Sequence, residues 1–577
     1  MKNFILNKQS DEQLAIIDAV KSSLVSNSHV SLMIQAYAGS GKTSTLALVA
    51  KALLENNLNP SELVFLTFAK FNRLDLSNKL SEFGLSDCVK TFNSYGFSVL
   101  RKALSPKSIV KFTVDPFKYS KIAQSLGYLD SFANGSLEPG SLELILSDAF
   151  VSFSKLLDRV RTDALALDEI NNDVVADIAF KCDLEFDRDS VNILTGAVVS
   201  VLKEGLSYIE KKFYIDFLDQ VWYPWHQRNN PVFSKAFRFR SKMLRVIGID
   251  ECQDLNPLQV EFLKLLYNPD NNFLVAVGDR YQAIYAFRGA YGNSVDDLSN
   301  HFNCKTLPLS ISWRCGSNHL ELVRNTFAWI KIKNSPSAFP GEIKLAVDDD
   351  CKKIFEPNEK YLVVCRSNRS LFLFALKLIE NKILFSIKDF SYLKNFITDC
   401  KQTVSDIFKS VPASSSLPIS DRIVLWHKNI LNLEKGVLSS SRLEELSCYK
   451  AFFLFLCDNC EFEELNSFLD CVDSFFEACS GDYPIKLSTI HAAKGLEEKN
   501  VVFVYPEQIS AHTVASASDS SEQENNLVYV GLTRCLVKSD SGGVLWMVLN
   551  KGTDGLPFKW PDWLPVKYRK LGYSSVT

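Results

Sequence analysis

Two short stretches combine residue types and spacings suited to phosphate chemistry. The first is Ala36-Tyr-Ala38-Gly39-Ser40-Gly41-Lys42-Thr43, between an apolar run at 30–36 and a helical pattern at 44–53. Glycines in such a loop let successive backbone N–H groups turn inward onto phosphate oxygens at the positive end of the following helix. Lys42 would reach the β- and γ-phosphates and the Thr43 hydroxyl would ligate Mg²⁺, with Ala38, Gly39, Ser40, Gly41 and Ser44 completing the cradle. The second stretch, Val246-Ile-Gly-Ile249-Asp250-Glu251, ends a buried-strand pattern in two carboxylates. Asp250 would hold Mg²⁺, and Glu251 would orient and deprotonate an attacking water.

Positioning these residues takes parallel sheets. Apolar runs at 30–36, 62–68, 246–249, 273–277, 361–364, 485–489 and 501–505 are each followed by a loop and a helical pattern. Continuous apolar strands alternating with helices indicate sheets covered on both faces. The runs fall into two groups, so the expected fold is α/β with two domains, 1–100 with 211–300 and 301–395 with 483–577. Each carries a helical insertion, at 101–210 and 396–482, where strand-like runs are missing. Loops are expected at 411–418 and 516–521, both rich in Ser.

The composition narrows the classes. The chain has 577 residues, 46% hydrophobic and 23% charged, which is globular and excludes a collagen, a rod or a wholly disordered chain. A formal charge of −3 excludes a globally basic coat, so a nucleic-acid partner would need a locally basic groove. No apolar run approaches the roughly 18 residues of a membrane span. Nothing at the start reads as a signal peptide, so a cytoplasmic protein with no membrane partner and mostly reduced cysteines is expected.

The segment Asp250-Glu-Cys-Gln-Asp254-Leu-Asn-Pro257 resembles the acidic motif of the UvrD/Rep/PcrA-type DNA helicases of superfamily 1. The resemblance runs in order over nearly the whole chain: Gln13, Leu66-Thr67-Phe68, Thr91-Phe-Asn93-Ser94, Ile215-Asp216-Phe217-Leu-Asp219, and Gly278-Asp279-Arg-Tyr-Gln282-Ala-Ile-Tyr285-Ala-Phe287-Arg288-Gly289. It continues in Ser312-Trp313-Arg314-Cys315, Thr489-Ile-His491-Ala-Ala-Lys494-Gly495-Leu496-Glu497 and Tyr529-Val-Gly531-Leu532-Thr533-Arg534. Cys252, Phe287, Trp313, Asn93, Gly531 and Ser44 depart from the residues usual in relatives, and none of them removes a group that hydrolysis needs.

The resemblance implies two RecA-like P-loop domains with ATP between them. Lys42, Glu251 and Gln282 of the first domain, with Arg314 and Arg534 of the second, would be catalytic. Gln13 would read adenine, Trp313 would stack on it, and Glu497 would bind the ribose. Single-stranded DNA would meet Thr67, Thr91, Ser94, Thr489 and His491 through its phosphates, and Phe68, Tyr285 and Phe287 through its bases. The implied activity is ATP-driven movement on single-stranded DNA, 3′ to 5′, with unwinding at single/double-strand junctions. A translocase or DNA-sensing ATPase without net unwinding is the alternative, and an ATP-switched binding module a third reading. The second insertion is much shorter than in large relatives, and little room follows the last motif for an attached nuclease. Cys457-Asp-Asn-Cys460, with Cys471 and Cys479 nearby, has a metal-type spacing, but its apolar helical surroundings equally suit core cysteines.

Overall fold

Runs of Val, Ile, Leu and Phe form the centres of two separate parallel sheets. The computed structural model describes residues 9–25, 29–104, 110–128, 148–181, 188–285, 294–387, 400–405, 407, 418–433, 440–459, 465–478, 481–510, 519–537, 542–551 and 559–569. The chain divides into two units, Met1–Ser310 and Ile311–Thr577.

The first unit contains β1 (Leu32–Ala36), β2 (Leu63–Thr67), β3 (Val89–Thr91), β4 (Val246–Asp250), β5 (Phe273–Gly278) and β6 (Lys305–Leu309), in the sheet order β3-β2-β4-β5-β1-β6. All neighbours are parallel. Every residue of β2, β4 and β5 is buried, as expected for strands covered on both faces. The register sets Thr67 level with Asp250, Asp250 with Val277, and Gln35 with Gly278. The strands therefore deliver their loops to one carboxyl edge, the usual ligand edge of open α/β sheets. Lys305–Leu309 pairs with β1, so the first unit extends to Ser310, beyond the expected boundary at 300.

The helical stretch 101–210 joins the first unit through a buried ionic cluster. Lys118 Nζ lies 2.6 Å from Asp219 Oδ2, and Tyr119 donates to Asp219 Oδ1 at 2.7 Å. Arg161 lies 2.8 Å from Asp216 and 3.2 Å from Asp219. The segment returning from the insertion is thus where the helices Lys118–Ser125 and Asp148–Thr162 are tied to the chain.

The second unit contains β7 (Glu342–Val347), β8 (Tyr361–Cys365), β9 (Ser386–Ile387), β10 (Ile485–Thr489), β11 (Asn500–Val504) and β12 (Val544–Leu549), in the order β7-β12-β11-β8-β10-β9, again all parallel. The helices Ile419–Leu433, Ser440–Asn459 and Leu465–Ala478 fall in the expected second insertion. They share one core with the sheet. Tyr449, Phe452, Phe453 and Phe468 cluster with Tyr361, Val363 and Phe372, and the Phe372 and Phe452 rings meet edge-on at 5.2 Å. Cys457 and Cys471 pack against this core, while Cys460, Cys479, 411–417 and 516–518 lie outside the described residues. Replacing 419–478 by a short linker is therefore expected to unfold the second unit. Retention by that deletion of the full unfolding enthalpy of both units, apart from the deleted residues' share, would show the helices to be a separable appendage.

Candidate nucleotide site and nucleic-acid face

The phosphate loop follows β1. Gly39 and Gly41 have φ of +70° and +87°, the left-handed region that glycine enters at little cost. These turns lead into the helix Lys42–Glu55, so its free N–H groups face the loop. Ser40 is buried, and its hydroxyl has no hydrogen-bond partner among the described residues. Such an orphaned hydroxyl in a glycine turn fits a phosphate oxygen. Ala38 is fully buried, and Ser44 is half-buried on the first turn of the helix.

The acidic pair follows β4. Thr43 Oγ1 donates to Asp250 Oδ2 at 3.1 Å, an all-oxygen set of the kind Mg²⁺ takes. Burial, then the adjacent Glu251 carboxylate, pushes Asp250 up to about 7. A cation held there would offset both effects. Lys42 Nζ lies 3.0 Å from Glu251 Oε2 and donates to Gln282 Oε1 at 3.4 Å. Burial works against the Lys42 charge, but Glu251, Asp279 and Asp250 outweigh it and hold its pKa above the ordinary value. Glu251 itself has φ +54°, uncommon for a residue with a side chain and the kind of backbone strain that concentrates at functional sites.

Gln13 enters from the first helix, Asp11–Val25. Its Oε1 accepts from Ser10 N–H at 3.1 Å, and its Nε2 donates to Thr45 Oγ1 at 3.1 Å. The amide is thereby fixed beside the phosphate loop. Lys42, Thr43, Asp250, Glu251 and Gln282 thus meet at one sheet edge.

Comparison with known proteins identifies the family. The UvrD/REP helicase N-terminal domain model matches residues 18–303, and the UvrD-like helicase C-terminal domain model matches residues 428–538. The chain belongs to the UvrD/Rep helicase family. It is similar to a "Probable DNA helicase II homolog" of Mycoplasma pneumoniae, 24% identical over 54% of this chain and 42% of that protein. It also resembles an "ATP-dependent DNA helicase Rep" of Buchnera aphidicola, 22% identical over 74% of this chain and 64% of that protein. A "Probable DNA helicase II homolog" of Mycoplasma capricolum is 23% identical over 92% of this chain and 83% of its own length. The chain thus spans less than two thirds of the first two relatives.

The other residues expected from the resemblance are distributed between the units. In the second unit Arg314 Nε lies 2.5 Å from Glu497 Oε2, and Arg314 Nη1 donates to Thr533 O at 3.4 Å. Arg534 is 1% exposed, with Nε donating to Val530 O at 2.9 Å and Nη1 to Leu496 O at 3.2 Å. Burial, then the nearby Arg314 charge, lowers Arg534 to about 10, which still leaves it charged at neutral pH. Glu497, expected at a ribose, is paired with Arg314 here. The Trp313 ring is 43% exposed.

The residues expected on DNA divide by exposure. Thr67 is fully buried, with its hydroxyl turned to Ala69 O at 3.4 Å, so its side chain is off the surface where a phosphate contact was expected. The reason is its place as the last residue of a central strand. Thr91 caps the helix Phe92–Leu104 by accepting from the N–H of the exposed Ser94 at 3.1 Å. Phe68 and Tyr285, both half-buried, stack on one another with centroids 5.9 Å apart. Thr489 caps the turn that carries the half-buried His491, accepting from Ala492 N–H at 3.3 Å. Phe287 lies outside the described residues.

Two features were not foreseen. Tyr37 in the phosphate loop stacks on Tyr281 beside Gln282, with centroids 5.9 Å apart. Gln253, two residues beyond Glu251, bonds to the Glu251 carboxylate at 2.6 Å. Its place in the acidic motif at 250–254 was the signal available for it, and the motif gave it no role.

Proposed function

We propose that this protein is an ATP-dependent DNA helicase that moves 3′ to 5′ on single-stranded DNA and separates duplexes at junctions with single strands. The meeting of Lys42, Thr43, Asp250, Glu251 and Gln282 at one sheet edge carries this reading. Lys42 leaves Glu251 and neutralises the β- and γ-phosphates, while the N–H groups of Gly39–Thr43 cradle them. Thr43 and Asp250 would hold Mg²⁺, which would supply positive charge to the phosphate oxygens. Freed from Lys42, the Glu251 carboxylate takes the proton of the attacking water. Gln282, three residues before Tyr285, links the phosphate end to the DNA face. Gln13 and Trp313 bind the adenine. Arg314 and Arg534 add positive charge at the γ-phosphate in the transition state, which requires Arg314 to exchange Glu497 for the nucleotide.

On the nucleic-acid side, Thr91, Ser94, Thr489 and His491 contact phosphates, and the Phe68–Tyr285 stack offers an aromatic face to bases. Base stacking contributes about 1–3 kcal/mol per base. Tyr285→Ala is expected to weaken binding of a labelled oligo-dT by that amount while basal ATP turnover stays unchanged. Unaltered affinity would mark the pair as packing alone.

The reading is tested with duplexes bearing a 3′ or a 5′ single-stranded tail. Strand separation of the 3′-tailed duplex, dependent on ATP and Mg²⁺, is expected. Separation of the 5′-tailed substrate alone would overturn the polarity. ATP-driven displacement of a bound protein from single strands, with neither duplex opened, would establish the translocase reading instead.

A further inference from the structure

We propose that Gln253 is a positioning residue that aims the Glu251 carboxylate and couples it to the Asp279–Gln282 turn. The inference rests on Glu251 acting as the general base, as proposed above. Gln253 is fully buried. Its Nε2 donates to Glu251 Oε2 at 2.6 Å and lies 3.3 Å from Asp254 Oδ2. At the other end its Oε1 accepts from Asp279 N–H at 3.0 Å. One amide therefore spans the loops after β4 and β5. Its orientation is fixed by charge, because a flipped amide would turn its oxygen onto two carboxylates and its NH₂ onto an N–H.

The space for this bridge is kept by a glycine. A Cβ on Gly278 would lie 2.7 Å from Gln253 Oε1 and 2.5 Å from Cys252 Sγ. Asp279 continues the connection, since its Oδ1 accepts from Tyr281 N–H at 3.1 Å and its O from Gln282 N–H at 2.9 Å. The Glu251 end also needs an anchor. Its backbone is left-handed, and Lys42 and Gln253 hold the same oxygen, Oε2. Once Lys42 moves to phosphate, Gln253 still holds that oxygen and keeps the carboxylate aimed.

The test is Gln253→Met, which preserves length and volume but removes the amide's hydrogen bonds to Glu251, Asp254 and Asp279, assayed in the full chain. Misplacing a catalytic group by about 1 Å can cost on the order of 10²-fold in rate. The kcat of DNA-stimulated ATP turnover is expected to fall about ten- to hundredfold. Equilibrium affinity for a fluorescent non-hydrolysable ATP analogue should stay close to wild type, while the thermal midpoint falls modestly because the buried Asp279 N–H loses its acceptor. Gln253→Asn, which keeps the amide but is too short to reach both ends, should show the same split and covers a failure of the Met variant to fold. Near-normal kcat in either folded variant would overturn the inference. So would a parallel loss of kcat, analogue affinity and thermal stability, which is the mark of a packing role. Normal turnover by Glu251→Gln would instead sink the general-base reading.

Discussion

Arg314→Ala is expected to lower single-stranded-DNA-stimulated ATP turnover by about 10³–10⁵-fold, the range contributed by a transition-state arginine. Nucleotide affinity should fall far less, because the phosphate loop, Gln13 and the Thr43–Asp250 pair all belong to the first unit. The variant should also fold. The Glu497 carboxylate is 40% exposed, so water can solvate it once Arg314 is removed, and the loss in stability should be modest. Arg534→Ala should lose turnover similarly, but with a cost in stability. Its guanidinium serves the carbonyls of Val530 and Leu496 in a buried setting, and truncation leaves them without that donor. The rate of the double variant should be little worse than that of either single one, since groups acting on one transition state are not additive. Steady-state turnover beside equilibrium binding of a fluorescent ATP analogue measures all of this. Near-normal turnover in Arg314→Ala would make that arginine a structural partner of Glu497 and nothing more.

Glu251→Gln is expected to cut turnover by about 10²–10⁴-fold, the usual contribution of general-base catalysis. Analogue binding should persist or tighten. Glutamine has nearly the same size, and it releases Lys42 from an ion pair of 3.0 Å that otherwise competes with phosphate. Wild-type hydrolysis by this variant would mean that the proton leaves by another route.

The site was legible in the sequence where chemistry is local, and illegible where it depends on which strand ends adjoin. Gly39 to Thr43 and Asp250-Glu251 declared themselves through spacing alone, and their contacts follow from the strands they end. Most central strands were equally plain because a strand buried on both faces must be apolar throughout, but the interior strand Val544–Leu549 went unread although its sequence is apolar throughout. The edge strands Lys305–Leu309 and Glu342–Val347 were missed because their Lys, Thr, Pro and Glu residues break the apolar run, and both are largely accessible in the sheet. Val89–Thr91 was too short to register. The second helical stretch read as an insertion because it lacks strands, yet Phe452 and Phe453 belong to the sheet's own core, and sequence periodicity does not say against what a helix packs. Thr67 shows the limit of reading by motif, which assigned it a role without assigning its exposure. Gln253 is informative only once the β4 and β5 ends are seen side by side.

The central claim is that ATP hydrolysis at the Lys42–Glu251 site is coupled to single-stranded DNA. The most direct test is the steady-state ATP turnover of the purified chain in Mg²⁺, with and without a saturating unstructured oligonucleotide. A low basal rate that rises many-fold with the oligonucleotide, and is abolished in both conditions by Lys42→Ala, is the predicted result. Turnover indifferent to the oligonucleotide, or surviving Lys42→Ala, would contradict the account.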